Sequence, residues 1–220
     1  MGASMPDQTP DRAIGRLSIY RRVLTGLRQE GVASIYSRGL AEAAGVTAVQ
    51  VRRDIMLIGS SGSPAKGYDV EELIDGIARF LDATERQPLA LVGVGNLGRA
   101  ILTYFPARRS NLVIAAAFDS DPFKTGRVIN GCRCYGMGEL PAIVAEQGIE
   151  TAILAVPAVE AQTVTDKLVA AGVKGLMNFA PARLRVPGGV FVEDIDITAS
   201  LEKVAFFARQ DGKATPLPSR

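Results

Sequence analysis

A glycine-rich motif near the middle of the chain has the clearest chemical meaning. It follows the apolar run Leu89–Val92, opens a segment with helical spacing, and reads Gly93-Val94-Gly95-Asn96-Leu97-Gly98. In a GxGxxG turn the first glycine forms the turn, the second lets a pyrophosphate approach the backbone, and the third packs the helix on the strand. The phosphates would then lie at the helix N terminus. The motif therefore predicts a dinucleotide site formed by these six residues.

Asp119 extends this prediction to the ribose of the dinucleotide. It stands about 20 residues beyond Gly98, at the end of the next apolar run, which is the spacing of an acid that accepts hydrogen bonds from a ribose. A carboxylate there repels a 2′-phosphate, so the sequence favours NAD(H) over NADP(H). The alternative is a glycine-rich turn with an unrelated surface aspartate.

Two further apolar runs end in residues that would face the rest of the ligand. In open parallel sheets, ligands bind outside the carboxyl ends of the strands. The residues at these ends are Pro157, Asn178, Phe179 and Ala180, and we expect them to line the nicotinamide side. Asn178 is equally suited to a turn at the end of a strand, and Pro157 to the first position of a helix.

A basic segment in the first third of the chain has the order of a helix-turn-helix. A small-residue helix runs up to Gly45, Thr47 can cap the next helix, and that helix carries Gln50, Arg52 and Arg53. Glutamine suits adenine and arginine suits guanine in the major groove, while other arginines bind phosphates. A turn-rich stretch containing Lys66 would form a hairpin that serves as a wing. The alternative is an ordinary solvated basic helix.

Charge and composition limit the classes of function. The 220 residues carry a net charge of +2, but nine Lys/Arg and only three Asp/Glu lie between Arg12 and Lys66, so the remainder is acidic. This asymmetry favours a polyanionic partner for the N-terminal part alone. The chain has no histidine, which excludes histidine-ligated metals and histidine-dependent triads, and we expect no metal. Without an apolar run of membrane-spanning length or a signal-peptide core, we expect a cytoplasmic protein with no membrane partner.

The order of apolar and helical segments predicts an α/β protein of two domains. Helices are expected from Ile14, after Ser37 as N-cap, after Thr47, and after Asp69, which has Glu72 at capping-box spacing. Farther on, apolar runs alternate with helical segments, which is typical of a doubly wound parallel sheet. The expected boundaries are 1–13 for a flexible lead, 14–84 for a winged-helix DNA-binding domain, 88–197 for a Rossmann-like domain, 198–209 for a C-terminal helix and 210–220 for a flexible tail.

Seven stretches of the sequence carry a family resemblance. They are RLSIYRRVL, LAEAAGVTAVQVRRD, GYDVEEL, LVGVGNLGRAIL, AAFDSDPFKTG, AILAVPAVEAQ and KGLMNFAPARLRVP. Together they resemble the Rex family of redox-sensing transcriptional repressors over about Arg16–Phe207. The resemblance implies a homodimer of winged-helix and Rossmann subunits, with the last helix swapped into the partner. Such a dimer binds double-stranded operator DNA until NADH displaces it, and so responds to the NADH/NAD⁺ ratio.

The same resemblance implies roles for single residues in cofactor sensing. Asp119 matches the ribose-binding acid, and Tyr104 matches a tyrosine near the nicotinamide. Arg22 and Asp196 match a pair that forms an interdomain switch contact.

On the DNA side, Arg52 and Arg53 match the cations of the recognition helix. The full set of expected DNA-binding residues is Thr47, Gln50, Arg52, Arg53, Lys66 and Arg16. The wing departs from the family pattern at Ser63-Pro64-Ala65-Lys66, where a basic pair is usual. Cys132 and Cys134 match no family feature, and we interpret them as ordinary cysteines.

We expect a repressor and not an enzyme. Oxidised nicotinamide is a cation, so an apolar pocket containing Phe179 and Ile197 would penalise NAD⁺ by desolvation and favour NADH. The alternative is a small NAD-dependent oxidoreductase, in which Tyr104 would have to supply the proton. A coenzyme-A-binding domain of similar topology is a third interpretation, disfavoured by Asp119 and by the basic N-terminal domain.

Overall fold

The computed structural model describes residues 11–63, 66–82, 85–105 and 111–209. They form two compact units that divide between Thr84 and Glu85. The first unit contains α1 (Asp11–Gln29), β1 (Ser34–Ile35), α2 (Ser37–Ala44), α3 (Ala48–Leu57), β2 (Tyr68–Asp69) and α4 (Val70–Leu81). The second contains β3 (Gln87–Val92), α5 (Asn96–Tyr104), β4 (Leu112–Asp119), β5 (Val128–Ile129), β6 (Cys132–Gly136), α6 (Leu140–Glu146), β7 (Thr151–Leu154), α7 (Ala158–Ala170), β8 (Gly175–Asn178), β9 (Phe191–Asp194) and α8 (Ile197–Ala208). None of these described helices is long and apolar enough to cross a membrane.

The first helix begins earlier than predicted. Helix α1 begins at Asp11, with its acidic side chain in the first turn, and not at Ile14. An acidic residue in a first turn is favourable because it faces the positive end of the helix dipole. The rest of the predicted lead, up to residue 10, and the predicted tail, 210–220, lie outside the described residues.

Two of the predicted helix caps are confirmed. The Thr47 hydroxyl accepts a hydrogen bond from the Gln50 N–H and starts α3, and the Asp69 carboxylate accepts one from the Glu72 N–H and starts α4. Between α2 and α3, Gly45 has a left-handed φ of 68° and its N–H bonds the carbonyls that end α2. Glycine adopts this conformation without strain, so the tight turn of the helix-turn-helix is set by sequence.

The predicted N-cap at Ser37 is wrong. The extended residue before α2 is Tyr36, and Ser37 is the first residue of the helix. The Ser37 hydroxyl instead accepts a hydrogen bond from Arg52 Nη1 at 3.1 Å. The side chain that resembled a cap in the sequence therefore links α2 to α3.

The turn-rich stretch after α3 closes on itself. Ser63 and Gly67 pair as an antiparallel bridge, with hydrogen bonds of 2.9 and 2.7 Å between their backbones. Of the residues in between, Lys66 is described and exposed, whereas residues 64 and 65 lie outside the described part. Strand β2 then pairs antiparallel with β1, so the predicted hairpin is tied to the segment that precedes α2.

The second unit is built on a seven-stranded sheet in the order β5-β6-β4-β3-β7-β8-β9. All neighbouring strands run parallel except β5 and β6. The chain winds outward from β3 in one direction and from β7 in the other. The point between these two strands is where an open sheet of this kind binds ligands.

Both faces of this sheet are covered, because successive side chains of a strand point to opposite faces. Ala90 and Val92 of β3 lie in a core with residues of α6 and α7, while Leu91 lies in a second core with Ile101 and Leu102 of α5. A strand buried on both faces reads as a continuous apolar run. This explains why the alternating runs and helical segments predicted a doubly wound sheet.

A buried carboxylate joins two helices of the first unit. Asp54 of α3 is 2% exposed. It accepts hydrogen bonds from Arg16 Nε at 2.6 Å and Nη2 at 2.8 Å, and from the Tyr20 hydroxyl at 2.9 Å. The bond to Asp54 raises the pKa of Arg16, and burial together with Asp54 raises the pKa of Tyr20. Helix α3 is therefore held to α1 by a charged, hydrogen-bonded contact in addition to apolar packing.

We expect Asp54→Ala to destabilise the first unit strongly. The variant leaves the buried Tyr20 hydroxyl and the partly buried Arg16 guanidinium without their acceptor, and each polar group left without its partner costs about 1–3 kcal/mol. Amide hydrogen exchange should show loss of protection in α1 and α3, with β3, β4 and β7 unchanged.

Asp82→Ala is the matched control. Asp82 accepts a bond from Arg21 of α1, but the two side chains are 37% and 34% exposed, and exposed pairs contribute less than about 1 kcal/mol. Equal effects of the two substitutions would show that the Asp54 contact does not hold the helices.

Candidate functional site

The Gly93–Gly98 turn lies at the point where the chain leaves β3 for α5. Gly93 has a φ of 94°, and a Cβ there would lie 2.4 Å from the Ala155 carbonyl oxygen. A Cβ on Gly98 would lie 2.0 Å from the Gly93 oxygen, whereas a Cβ on Gly95 would meet nothing within 4 Å. The first and third glycines thus permit close packing, and the second leaves open space at the start of α5. This geometry fits a pyrophosphate held against the helix N terminus.

Asp119 is fixed beside this turn by three donors. Its Oδ2 accepts hydrogen bonds from the Val94 N–H at 2.8 Å and from Lys124 Nζ at 3.0 Å, and its Oδ1 accepts one from the Asp121 N–H at 2.9 Å. The side chain is 9% exposed. Burial alone would raise the pKa of Asp119, but the two N–H groups and Lys124 outweigh it and lower the pKa. The carboxylate is therefore charged at neutral pH and has a defined orientation.

These residues enclose one cavity of about 330 Å³ at the carboxyl ends of the strands. Four of the predicted residues line it, namely Gly93, Gly95, Asp119 and Pro157. It is also lined by residues that the prediction did not include, among them Ser120, Lys124, Met137 and Glu160. Ser120 and Lys124 stand in the same short motif as Asp119, so proximity in sequence could have indicated them.

The other residues of the glycine motif do not line this cavity. The Val94 side chain is fully buried in the core on the α5 face, so Val94 takes part only through the N–H that binds Asp119. Asn96 and Leu97 are exposed in the first turn of α5. Contacts from these two residues to a cofactor stay predictions.

A second cavity of about 640 Å³ lies at the ends of β8 and β9. It is lined by all three predicted residues of the β8 end, Asn178, Phe179 and Ala180, and by Asp194, Asp196 and Ile197. Phe179 and Ile197 supply apolar side chains to this lining, as predicted, but the carboxylates of Asp194 and Asp196 belong to the same lining.

The Asn178 side chain has a structural part in this cavity. Its Nδ2 donates to the Ala182 carbonyl at 3.0 Å and to Asp194 Oδ1 at 2.7 Å, and its Oδ1 accepts from the Ala180 N–H at 2.9 Å. These bonds form the turn after β8 and hold the end of β9. The alternative interpretation of Asn178, a turn at the end of a strand, describes its observed bonds, and a cofactor contact stays a prediction.

Tyr104 lines neither cavity, and the two members of the predicted switch pair belong to different units. Tyr104 is the last residue of α5, which places it roughly 12 Å along the helix from the glycine turn, and it lines neither cavity. Asp196 accepts a hydrogen bond from the Ala199 N–H at 2.8 Å and caps α8. Arg22 lies on α1, in the other unit. The roles of all three residues stay predictions.

The helix-turn-helix presents its cations on the face of α3 opposite the core. Val51, Asp54 and Ile55 are buried, whereas Arg52 and Arg53 are exposed. The contact with Ser37 holds the Arg52 guanidinium beside the start of α2.

The other expected DNA-binding residues differ in their surroundings. Gln50 is half-buried in the first turn of α3, Thr47 caps that helix, and Lys66 is exposed in the hairpin. Arg16 is paired with Asp54 through two nitrogens. This pairing gives Arg16 a role within the unit, and a DNA contact by it stays a prediction.

The two cysteines lie in the core on the α5 face of the sheet. Cys132 is 6% exposed and Cys134 is fully buried, and both are free thiols. Burial raises the pKa of Cys132 to about 11. Since the thiolate is the reactive form of cysteine, this environment suits ordinary core residues. No group of metal-ligating side chains lies within the described part of the chain.

Two family models match the chain, one for each unit. A model described as "Putative DNA-binding protein N-terminus" matches residues 8–55. A model described as "CoA binding domain" matches residues 84–182, which cover the sheet from β3 to the end of β8.

Relatives over nearly the full length share both units. The chain is 43% identical over 205 residues to the redox-sensing transcriptional repressor Rex of Roseiflexus sp. (strain RS-1), covering 93% of each chain. Crystal structures of RSP in complex with β-NADH, and with β-NAD⁺ and operator DNA, are 32% identical with TM-scores of 0.83. They cover 94% and 96% of this chain, and 97% and 100% of RSP. An identity of this extent over both units shows that the chain belongs to the Rex family of redox-sensing transcriptional repressors.

Proposed function

We propose that this protein is a repressor that binds operator DNA as a homodimer and leaves it when NADH binds the second unit. It thereby reports the NADH/NAD⁺ ratio. The observation that carries the proposal is the presence in one chain of a dinucleotide cavity ending in a charged Asp119 and of a helix-turn-helix with exposed Arg52 and Arg53. The structures of RSP, one with β-NADH and one with β-NAD⁺ and operator DNA, support the proposal that such a chain binds both a dinucleotide and DNA. Since it acts on operator DNA, we place the protein in the cytoplasm.

In this proposal the two cavities bind different parts of the dinucleotide. Gly93, Gly95 and the N terminus of α5 would hold the pyrophosphate, and Asp119 would accept hydrogen bonds from the adenosine ribose. Phe179 and Ile197 would enclose the nicotinamide. This ring carries a positive charge when it is oxidised and is neutral when it is reduced, and the proposal uses only this difference in charge. The apolar side chains disfavour the cationic, oxidised form because of desolvation, whereas Asp194 and Asp196 of the same cavity attract it. The proposal requires the desolvation effect to be the larger of the two. The cavity residues therefore convert a redox ratio into occupancy.

Occupancy must then change the affinity for DNA. Two recognition helices fit an operator only when they match half-sites about 34–36 Å apart or a multiple of this spacing. If NADH favours a dimer geometry that misses this spacing, DNA affinity falls by linkage, typically about 5–150-fold. In this proposal Arg22 and Asp196 pair across the domains in one of the two geometries, and Tyr104 lies near the nicotinamide.

Helix α8 supports the dimer. All described residues of this helix are exposed. They include five large apolar side chains, Ile197, Leu201, Val204, Phe206 and Phe207, that are 49–65% exposed. An apolar surface of this size on one helix marks a site of protein association. We propose that α8 is the swapped helix and packs on the second copy.

We expect NADH to release the protein from DNA at far lower concentration than NAD⁺. The measurement is fluorescence anisotropy of a labelled duplex with an A·T-rich palindrome at fixed salt, first titrated with protein and then with each dinucleotide. Gly95→Val is the matched control. Its Cβ meets no protein atom within 4 Å, so the variant should bind DNA normally, but it fills the space of the pyrophosphate and should resist NADH.

Three other results would contradict this proposal. Release by both dinucleotides at equal concentration would contradict redox sensing, and release of Gly95→Val by NADH would contradict the site. Steady oxidation of NADH by a carbonyl compound would favour the oxidoreductase.

We expect Leu201→Asp to convert the dimer to a monomer, because it places a charge within the apolar surface of α8. Sedimentation velocity should show the smaller species, and anisotropy should show weakened binding to the palindrome. Glu202→Gln, which changes charge on the same helix outside the apolar set, should keep the dimer. A dimeric Leu201→Asp protein would show that α8 is not the interface.

A further inference from the structure

Lys124 is a cation in the dinucleotide cavity to which the proposed function gives no role. Its Nζ lies 3.0 Å from Asp119 Oδ2 and 3.6 Å from Asp121 Oδ2, and its side chain is 23% exposed. Among the described residues that line this cavity, Lys124 alone carries a positive charge, and Ser120 contributes to the same lining. The pair with Asp119 raises the pKa of Lys124, so the ammonium is fully charged at neutral pH.

The hydrogen bonds of Asp119 place this ammonium where a ribose would bind. A carboxylate has about four acceptor positions, and Asp119 already uses three, for Val94, Asp121 and Lys124. Two vicinal ribose hydroxyls need two positions. The two backbone donors are fixed by the fold, whereas the lysine side chain is long and flexible. The ammonium is therefore the donor that must give way or share when a ribose binds.

A 2′-phosphate would meet both members of this pair at the same place. Asp119 repels it, and Lys124 attracts it. While the ammonium is bonded to the carboxylate, its charge is largely neutralised. Asp121 is a weaker competitor for Lys124, since it is farther away, is 37% exposed, and already accepts a bond from the Phe123 N–H.

We propose that Lys124 is a second determinant of cofactor choice, a latent phosphate-binding cation that Asp119 withholds from a 2′-phosphate. The pair, and not the carboxylate alone, then sets the preference for NAD(H) over NADP(H). This inference rests on the proposed dinucleotide site.

The test is a cycle of four proteins: the full-length chain, Asp119→Ser, Lys124→Met and the double variant. Binding of NADH and of NADPH is measured for each by calorimetry, and the ratio of the two affinities is compared. Without Asp119 the ammonium keeps only the more distant and more exposed Asp121 as a partner, so it can turn to a phosphate. The NADPH/NADH affinity ratio in Asp119→Ser should therefore exceed that in the double variant by about tenfold, the gain from one charge-assisted contact. Combining Lys124→Arg with Asp119→Ser keeps a cation at position 124, so this protein should keep the higher NADPH/NADH affinity ratio.

Equal ratios in Asp119→Ser and in the double variant would overturn the proposal, because repulsion by the carboxylate would then explain the whole preference. A tenfold fall in the ratio for Lys124→Met alone would also overturn it, since the lysine would not be withheld. Lys167→Met removes an exposed lysine of α7 outside the cavity and should leave the ratio unchanged.

Two controls separate other causes of failure. Asp119→Ser removes an acceptor from the Val94 N–H, so Asp119→Asn, which keeps a side-chain oxygen, is measured in parallel. The ratio corrects for any general weakening of the site, because both dinucleotides share the pyrophosphate and nicotinamide contacts. Failure of the unaltered protein to bind NADH would refute the proposed function itself, before any variant is compared.

Discussion

The hydrogen bond between the Val94 N–H and the Asp119 carboxylate, 2.8 Å long, is the contact on which the dinucleotide site depends. It joins the turn after β3 to the end of β4, two neighbouring strands whose parallel pairing alone would leave their following loops independent. A buried carboxylate costs free energy unless it is hydrogen-bonded. Here the cost is offset by donors that are themselves parts of the site. The acid that would read the ribose thus also fixes the backbone that would receive the phosphates.

The first unit uses the same device for a different purpose. Asp54 sits on the buried face of α3, one residue beyond the exposed Arg53, and is bound by Arg16 and Tyr20 of α1. Such a contact has a directional requirement that apolar packing lacks, because the fork of a guanidinium matches a carboxylate in one plane. It therefore sets the rotation of α3 about its axis. That rotation decides which side chains face outward, so a buried acid orients the surface that would meet DNA.

The sequence allowed prediction of features that depend on local chemistry. Thr47 and Asp69 cap helices because their side chains reach an N–H three residues on, and Gly93 and Gly98 permit contacts that any Cβ would block. Features that depend on distant partners were missed. Ser37 looked like a cap because the hydroxyl's partner, Arg52, lies on another helix. The pairing of Arg16 with Asp54 was missed because the two residues are 38 positions apart and the burial of Asp54 cannot be seen in the sequence. Lys124 is a different case, because it stands in the same short motif as Asp119 and could have been included.

The apolar side chains of helix α8 are not explained by the contacts within one chain. Its apolar side chains have no core to enter within the described chain, although the helix is capped by Asp196 and follows β9 after a short connection. Asp196 and Ile197 line the second cavity, so the helix begins at the place where the nicotinamide would lie. In the proposed dimer, α8 would touch the ligand at its first turn and the second subunit along the rest of its length, and would thereby couple the two. The proposed sensing of NADH by a dimer would then need no relay through the sheet, because the helix itself would carry the coupling.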